Sequence, residues 1–354
     1  MVWRFLWRPN FSRCPRLLLV IRAASLAMSE LARILKQYKD VRVLVTGVTG
    51  FIGRWVARLI SAAAADLWLV TRDAAKLNQI FRPYGVKGQI VMADLYNRED
   101  VVRVVEQVRP AIIFNLAGYG VDPGERDESA AFLMNDGLVG DLAEAIMRVD
   151  PGGWLGQRLV HTGSAMEYGS VDGVVTEESP PHPINLYGKS KLAGTRRLLD
   201  FCATHGLPGM VARLFTVYGP GEHPHRLLPS LLRVAREKKP LQLTSGQQER
   251  DFTYVAEVAE GLLRLGLVRH AKGGLVNLAS GRLHAIREFA LVAASTLGFS
   301  PDLLQFGVLP TRQDELWQGP VAIQRLVELL DWRPTMAISA GIRATQEFIA
   351  AVTC

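Results

Sequence analysis

Cysteine is scarce in this chain of 354 residues, and its three cysteines, Cys14, Cys202 and Cys354, are widely separated. An odd number of distant cysteines excludes a disulfide framework and predicts a reducing, cytoplasmic location. The histidines His223 and His225 stand close together, but no cysteine or carboxylate lies near them at the helical spacing of metal ligands. The sequence therefore predicts no metal site.

Acidic residues are absent from positions 1–29, which hold five arginines and leave 36 basic and 34 acidic residues elsewhere. A net charge of +2 outside this segment is too small for a nucleic-acid-binding surface. A long hydrophobic run is also lacking, because "LLLVIRAASLAM" is short and interrupted by Arg22, so no membrane span is predicted. The basic segment is either an organelle transit peptide or an upstream extension before a second start at Met28. We expect residues 1–40 to lie outside the fold.

What the sequence does have, from residue 41 onwards, is a regular alternation of short apolar runs with amphipathic segments. Apolar runs buried on both faces and separated by helices predict an α/β fold with a doubly wound parallel sheet of the Rossmann type. We assign 41–220 to a dinucleotide-binding domain and 221–354 to a smaller, mixed α/β substrate-binding part. The apolar runs are "VRVLVTG", "LWLVTR", "GQIVMADL", "AIIFNLAG", "RLVHTGS" and "GMVARLFTVYG", and the predicted helices lie near 52–64, 73–80, 98–108, 129–148 and 187–205.

The first apolar run leads into three evenly spaced glycines, Gly47, Gly50 and Gly53. In a strand–loop–helix context, bare backbone lets a pyrophosphate approach the unpaired N–H groups and partial positive charge of the helix N-terminus. The spacing is G-x-x-G-x-x-G, not the G-x-G-x-x-G of many dehydrogenases. The alternative is an ordinary turn at a helix entry, but the context favours a dinucleotide.

The end of the second predicted strand bears on the choice of cofactor. NAD sites usually have an acidic residue there, whereas NADP sites need a cation for the 2′-phosphate. Thr71 occupies the strand end and Arg72 follows it, which favours NADP over NAD. Alternatively, Arg72 is a surface residue ahead of a helix capped by Asp73.

Tyr187 and Lys191 are four positions apart at the start of a predicted helix, so they share a face. We expect the nearby ammonium to lower the pKa of the phenol towards the working range of an acid–base catalyst. Ser164, at the end of the fifth predicted strand, is placed to hydrogen-bond the reacting oxygen. Taken alone, the Tyr187–Lys191 motif has a solvent-facing pair on the helix as its alternative, and Ser164 has an ordinary turn residue.

These motifs, in this order, resemble the short-chain dehydrogenase/reductase superfamily, and further stretches resemble its extended, nucleotide-sugar epimerase/dehydratase branch. The resemblance covers about residues 41 to 350. It is carried by "TGVTGFIG", "ADL", "NLAG", "MNDGLVGDL", "LYGKSKLAG", "RLFTVYGPG", "RDFTYVAEVAEG", "VNLASG" and "LDWRPTMAISAGIRATQEFI".

The resemblance implies a hydride transfer at a sugar carbon, commonly C4, with Tyr187 as acid–base catalyst, Ser164 steadying the oxygen, and Lys191 holding the nicotinamide ribose. It also implies a homodimer formed through the helices near 129–148 and 187–205. The implied cofactor residues are Gly47, Thr49, Gly50, Phe51, Ile52, Gly53, Arg72, Asp94, Leu95, Leu116, Ala117, Gly118, Tyr187 and Lys191. The implied substrate residues are Ser164, Glu167, Thr216, Arg226, Arg250 and Arg312, of which the last two would grip a diphosphate.

Several departures from the family pattern narrow the activity. Thr216 and Arg226 replace asparagines that often contact substrate, and Ala165 and Met166 replace the acidic pair of the 4,6-dehydratases, which argues against water elimination. The stretch "GSAMEYG", which contains Glu167, resembles the "GSSxEYG" form of some nucleotide-4-keto-6-deoxysugar reductases. We therefore expect a nucleotide-sugar 4-ketoreductase, with a 4-epimerase holding NAD tightly as the alternative. A reductase of a non-sugar ketone and a non-catalytic binding protein are lesser alternatives.

Overall fold

The computed structural model describes residues 29–121, 124–269, 271, 273–311, 315 and 317–353. Its central sheet has seven strands, and every pairing in it is parallel. The strands are β1 (Arg42–Thr46), β2 (Asp66–Thr71), β3 (Gln89–Met92), β4 (Ile112–Asn115), β5 (Leu159–Ser164), β6 (Gly209–Leu214) and β10 (Gly274–Leu278). Their order is β3-β2-β1-β4-β5-β6-β10, which confirms the predicted doubly wound sheet.

Helices cover both faces of this sheet, as the unbroken apolar strands require. Within β1, Val43 and Val45 face one buried cluster while Leu44 faces the other, because successive side chains of a strand point to opposite faces. The first cluster packs against α1 (residues 29–37), α2 (Phe51–Ala62) and α9 (Val255–Gly266). The second packs against α4 (Arg98–Val108), α6 (Leu138–Met147) and α7 (Leu186–His205). Two short helices, α3 (Ala74–Phe81) and α5 (Glu128–Phe132), complete this part.

The C-terminal part adds two small sheets beside the carboxyl edge of the central one. One contains β7 (Thr216–Tyr218), β9 (Glu249–Tyr254) and β11 (Leu283–Ala285), with β9 parallel to β7 and antiparallel to β11. The other pairs β8 (Leu241–Leu243) with β12 (Leu304–Phe306). Its helices are α8 (Leu227–Glu237), α10 (Ile286–Leu297), α11 (Gln324–Leu330) and α12 (Ile338–Thr353). Of the helices described, none is long and apolar enough to cross a membrane.

Two expected boundaries are wrong. Residues 29–40 belong to the fold, contrary to expectation, because Tyr38 is fully buried and its hydroxyl donates to the Leu263 carbonyl at 2.5 Å. The dinucleotide-binding layer also extends past residue 220, since β10 is its edge strand and α9 packs on its face. The predicted transit peptide or upstream extension lies outside the described residues.

Candidate active site

A crevice is expected where the strand order reverses, between the carboxyl ends of β1 and β4. The predicted cofactor residues follow the carboxyl ends of four adjacent strands and therefore share one edge of the sheet. They are Gly47, Thr49, Gly50, Phe51, Ile52 and Gly53 after β1, Arg72 after β2, Asp94 and Leu95 after β3, and Leu116, Ala117 and Gly118 after β4.

The three glycines of the loop have different roles. Gly47 has a φ of +65°, and a Cβ there would lie 2.4 Å from the Leu116 carbonyl carbon. A Cβ on Gly53 would lie 2.2 Å from the Gly47 oxygen, so both residues are glycine because β1, β4 and α2 pack closely. Gly50 is exposed at the N-cap of α2 with an ordinary φ of −74°. It is the glycine whose missing side chain leaves the helix N-terminus open to a ligand.

The loop is held from behind by Arg54, whose Nε and Nη2 donate to the Thr49 carbonyl at 3.1 and 2.8 Å. This fixes the backbone between Gly47 and Gly50. The bare, exposed Gly50 at a helix N-terminus is the feature that fits the pyrophosphate of a dinucleotide. The residues present are thus compatible with the predicted cofactor.

Arg72 lies exposed beyond β2. Burial raises the pKa of Tyr96, and the charge of Arg72 acts against that rise, so the guanidinium lies near the segment that follows β3. Asp73 is the N-cap of α3 and accepts from the Lys76 N–H at 2.9 Å, as the alternative interpretation of this stretch required. The Asp94 carboxylate accepts from the Tyr96 N–H at 3.2 Å. Arg72 and Asp94 therefore stand on neighbouring strands at the outer end of the crevice.

A buried polar network joins the ends of β1 and β4 to the middle of β5 beneath this crevice. The Thr46 hydroxyl donates to Asn115 Oδ1 at 2.7 Å and accepts from the Ala117 N–H at 3.3 Å. The Asn115 amide nitrogen then lies 3.1 Å from His161 Nδ1. Burial, reinforced by the charge of Lys191, lowers the pKa of His161 well below its ordinary value, so this histidine is neutral. The sequence analysis missed His161, whose polar side chain in an apolar strand was the available signal.

Tyr187 and Lys191 lie in the first two turns of α7, which begins after the N-cap Asn185, whose side chain accepts from the Gly188 N–H at 2.8 Å. A Cβ on Gly120 would lie 3.2 Å from Tyr187 Cδ2, so the loop after β4 contacts the phenol ring. Lys191 is buried, with 3% of its surface exposed. The expected shared face of the helix thus points into the crevice.

Asn135 anchors this helix from the neighbouring π-helical turn at Leu133–Gly137. Its amide nitrogen donates to the Ser190 hydroxyl and to the Tyr119 carbonyl, both at 2.8 Å, and its Oδ1 accepts from the Tyr119 N–H at 3.0 Å. Single π-helical turns are frequent at functional sites. Asn135 therefore couples the loop after β4 to the helix that carries the tyrosine.

Ser164 ends β5 and lies beside Tyr187. Its Oγ accepts from the Met166 N–H at 3.2 Å, which leaves the hydroxyl hydrogen to donate to the phenol oxygen. The serine is buried, with 7% of its surface exposed. The structure therefore brings together the three residues predicted to be catalytic.

The expected pKa of Tyr187 is wrong. Burial raises the pKa of Tyr187 to about 12, and the hydrogen bond from Ser164 only partly opposes this. Burial also lowers the pKa of Lys191 to about 8, while the negative charge of Glu167 acts to raise it. At neutral pH the site therefore holds a protonated phenol beside a mostly protonated ammonium.

Glu167 is not a substrate contact, contrary to expectation, because it is fully buried. Its Oε2 accepts from Arg213 Nε at 2.7 Å, and its Oε1 accepts from the Ser164 N–H at 2.7 Å. The sequence could not show this, because the pair forms only when β5 and β6 lie side by side. Glu167 thus supports the site from beneath.

Three other predicted substrate residues, Thr216, Arg226 and Arg250, lie in the elements that follow β6. Thr216 is half-buried at the start of β7, and Arg226 is the N-cap of α8, 3.5 Å from Glu222. Arg250 on β9 forms an ion pair with Glu315. Burial lowers the pKa of Arg250, and the charge of Arg226 adds to that effect, so the two guanidinium groups are near one another. Arg312 lies outside the described residues.

Arg226 also faces the reacting group. Burial is the main cause of the raised pKa of Tyr187, but the Arg226 charge lowers it, which places the guanidinium near the phenol. The described residues contain no cluster of three or more potential metal ligands. The site is accordingly one of a phenol, a hydroxyl, an ammonium and guanidinium groups.

A Rossmann-type sheet with a glycine loop after β1 and a Ser–Tyr–Lys group at its carboxyl edge defines an NAD(P)-dependent enzyme of the short-chain dehydrogenase/reductase type. More specifically, the chain belongs to the NAD-dependent epimerase/dehydratase family, whose model matches residues 43–279. This confirms the resemblance predicted from the sequence.

Known proteins similar to this chain include both epimerases and reductases. UDP-glucose 4-epimerase of Mycolicibacterium smegmatis is 28% identical over 330 residues, covering 87% of this chain and 98% of that protein. GDP-6-deoxy-D-mannose reductase of Pseudomonas aeruginosa is 29% identical over 316 residues, covering 86% of this chain and 95% of that protein. The structure of MoeE5 in complex with UDP-glucose and NAD has a TM-score of 0.75 at 25% identity, covering 88% of this chain and 99% of that chain.

Proposed function

We propose that the protein is an NADP-dependent 4-ketoreductase of a nucleotide-linked sugar. The observation that carries this proposal is the arrangement of Ser164, Tyr187 and Lys191 at the carboxyl edge of the sheet, where burial raises the pKa of the Tyr187 phenol to about 12. A phenol in this form is a proton donor, which reduction of a ketone needs. Oxidation of a hydroxyl, the first step of a 4-epimerase, needs the phenolate instead.

The catalytic residues have distinct tasks in this reaction. When bound, the reduced nicotinamide supplies the hydride that goes to the carbonyl carbon. Tyr187 donates its proton to the carbonyl oxygen, while the Ser164 hydroxyl hydrogen-bonds the same oxygen. The ammonium of Lys191 stabilises the phenolate left behind, and the net reaction converts a ketone, one hydride from the reduced cofactor and one proton into an alcohol and the oxidised cofactor.

The cofactor would be held by elements at the crevice edge. The helix N-terminus at Gly50 suits a pyrophosphate, and the Arg72 guanidinium beside Tyr96 suits a 2′-phosphate, which supports NADP over NAD. Lys191 suits the ribose next to the nicotinamide. Leu95, Leu116, Ala117 and Gly118, together with Asp94, would line the adenosine and central portions.

Arg250, Arg226 and Thr216 are proposed to bind the substrate, with the guanidinium groups on the diphosphate. The carboxylates of Glu222 and Glu315 now pair with these arginines, so a diphosphate would replace carboxylate oxygens as their acceptors. Arg312, which is not among the described residues, is proposed to bind the diphosphate as well. If Arg250→Ala bound nucleotide sugars as tightly as the unchanged protein in calorimetry, this assignment would be wrong.

The reaction is tested with purified protein and a panel of nucleotide-linked 4-keto sugars, following NADPH absorbance. We expect stoichiometric NADPH oxidation, which Tyr187→Phe abolishes because the ring stays in place while the proton donor is removed. Retained turnover in that variant would contradict the role of Tyr187. Unchanged circular dichroism and NADPH binding in the variant are the controls.

The alternative proposal is a 4-epimerase that retains NAD. It is supported by the similarity to the mycobacterial UDP-glucose 4-epimerase over nearly that protein's full length. Interconversion of two nucleotide sugars without net change in reduced cofactor would favour it over ketoreduction. Product analysis of nucleotide sugars incubated with the protein, together with NADPH absorbance, therefore separates the two activities.

We also propose a cytoplasmic homodimer formed through the outer faces of α5–α6 and α7. Leu133 and Met147 are exposed on this side, at 52% and 44% of their surface, and would be covered by a second copy. Sedimentation equilibrium tests the proposal, and a monomer at micromolar concentration would contradict it.

A further inference from the structure

Glu167 and Arg213 form an ion pair that is almost completely shielded from solvent, with side-chain exposures of 0% and 3%. Gly163 leaves the room for it, because a Cβ there would lie 2.6 Å from Glu167 Oε1. An ionised pair in a protein interior contributes little to stability compared with apolar packing. Its position directly beneath Ser164 therefore calls for a different explanation.

We propose that Glu167 is a positioning residue of the reaction, which fixes Ser164 through its backbone and supplies the negative charge that keeps the buried Lys191 protonated. This inference rests on the proposed function for its catalytic meaning. The charge relation between Glu167 and Lys191 is a property of the protein alone and can be measured without substrate.

The positioning of Ser164 follows from a capping box. Glu167 Oε1 accepts from the Ser164 N–H at 2.7 Å, while Ser164 Oγ accepts from the Met166 N–H. The backbone N–H and the hydroxyl oxygen of Ser164 each have a fixed partner, which leaves the hydroxyl hydrogen to donate to Tyr187. Without the carboxylate, the strand end at Ser164 would lose one of the two bonds that orient it.

The charge effect follows from the burial of Lys191. The first turn of α7 packs directly on the turn that holds Glu167, since a Cβ on Gly188 would lie 2.4 Å from the Met166 carbonyl oxygen. Burial lowers the pKa of Lys191 to about 8, and the negative charge of Glu167 acts against that shift. The same charge adds to the burial that raises the pKa of Tyr187. One carboxylate therefore favours the proton on both catalytic residues.

Other groups around these two residues do not replace Glu167. His161 on β5 is neutral, since burial lowers its pKa. Arg226 from α8 and Glu125 from the loop after β4 act on Tyr187 with opposite signs. Arg213 on β6 lies over the Tyr168 ring, with its guanidinium carbon 4.2 Å from the centroid, and its Nε donates to Glu167 Oε2 at 2.7 Å.

The first test is NMR titration of the protein without ligand, labelled with ¹³C at lysine Cε, and with Lys191→Met to assign the resonance. We expect Glu167→Gln, which keeps an acceptor for the Ser164 N–H, to lower the titration midpoint of Lys191 by about one pH unit. Arg213→Lys, which keeps the charge, should leave that midpoint in place. The exposed Lys189 is the internal reference. An unchanged Lys191 midpoint in folded Glu167→Gln would overturn the proposal.

Should Glu167→Gln fail to fold, Glu167→Gln combined with Arg213→Met is compared with Arg213→Met alone, so that the two proteins differ only in the Glu167 charge. We expect the lower Lys191 midpoint in the double variant, and equal midpoints would overturn the proposal. In the ketoreductase assay, the alkaline limb of kcat against pH should shift down with the NMR midpoint. A uniform loss of kcat with no shift would indicate a merely structural role. Because the NMR result needs neither cofactor nor substrate, it stands if the proposed activity is wrong.

Discussion

Substitution of the loop glycines should separate folding from cofactor binding. Gly47→Ala is expected to destabilise the fold, because Gly47 has a φ of +65° and a Cβ would lie 2.4 Å from the Leu116 carbonyl carbon and oxygen. Both obstructing atoms belong to the backbone of Leu116, directly after β4, so no side chain can move aside. The perturbation therefore forces β1 and β4 apart or the turn out of its conformation.

The magnitude follows from two contributions. A left-handed conformation costs a residue with a Cβ roughly 1–2 kcal/mol. Overpacking a close-packed region costs typically about 1–3 kcal/mol more. Gly47→Ala should thus lower the free energy of unfolding by about 2–5 kcal/mol. Gly85→Ala is the matched control, since Gly85 has a φ of +61° but no described heavy atom lies within 4 Å of a Cβ. That variant is therefore destabilised only by the left-handed backbone conformation.

Denaturant unfolding followed by tryptophan fluorescence measures both variants. Gly50→Ala should unfold nearly as the unchanged protein does, because Gly50 has a φ of −74° and a Cβ would lie 3.0 Å from the Gly47 oxygen. Its affinity for NADPH should instead fall by about tenfold or more, which corresponds to roughly 1.4 kcal/mol. The reasoning is refuted if Gly47→Ala is no more destabilising than Gly85→Ala, or if Gly50→Ala binds NADPH normally.

Two further substitutions test charges away from the loop. Arg72→Ala should raise the KM for NADPH by about 10- to 100-fold through loss of a charge-assisted hydrogen bond and leave that for NADH unchanged; equal effects on both would exclude a 2′-phosphate contact. Burial raises the pKa of Glu257 from 4.5 to about 7. This contribution to stability is fully present below the pKa that Glu257 has in the unfolded chain, where the side chain is protonated, and it is lost as the pH rises through 7. Glu257→Gln keeps acceptors for the Thr335 and Met336 N–H groups, so it should be more stable than the unchanged protein by about 1–3 kcal/mol near pH 8.5 and equal to it near pH 4. Denaturant unfolding at the two pH values measures this, and a pH-independent difference would contradict it.

The sequence predicted the parts of the fold that depend on local pattern. Apolar runs buried on both faces identified β1 to β6, and the spacing of Tyr187 and Lys191 placed both on one face of α7. Both signals are periodic and involve neighbours in the chain. The shared carboxyl edge then followed from a general rule of doubly wound parallel sheets.

What the sequence could not predict depends on distant pairs. Glu167 meets Arg213 only across β5 and β6, so its pattern suggested a substrate contact instead. The burial of Tyr187, which outweighs the effect expected of its helical neighbour, requires the loop at Gly120 to lie on the ring. Tyr38 likewise belongs to the core only because α9 lies beside it.

The glycine loop also shows why a motif alone is weak support for a cofactor. Gly47 and Gly53 would be glycine in this fold whether or not a dinucleotide bound, because a Cβ on either would overlap protein backbone. Of the three loop glycines, the exposed Gly50 is the one at which a Cβ would keep 3.0 Å from the nearest backbone atom, the Gly47 oxygen. The case for a nucleotide therefore depends on Gly50 at a helix N-terminus, on the strand reversal beside it and on the guanidinium of Arg72, which are independent of one another.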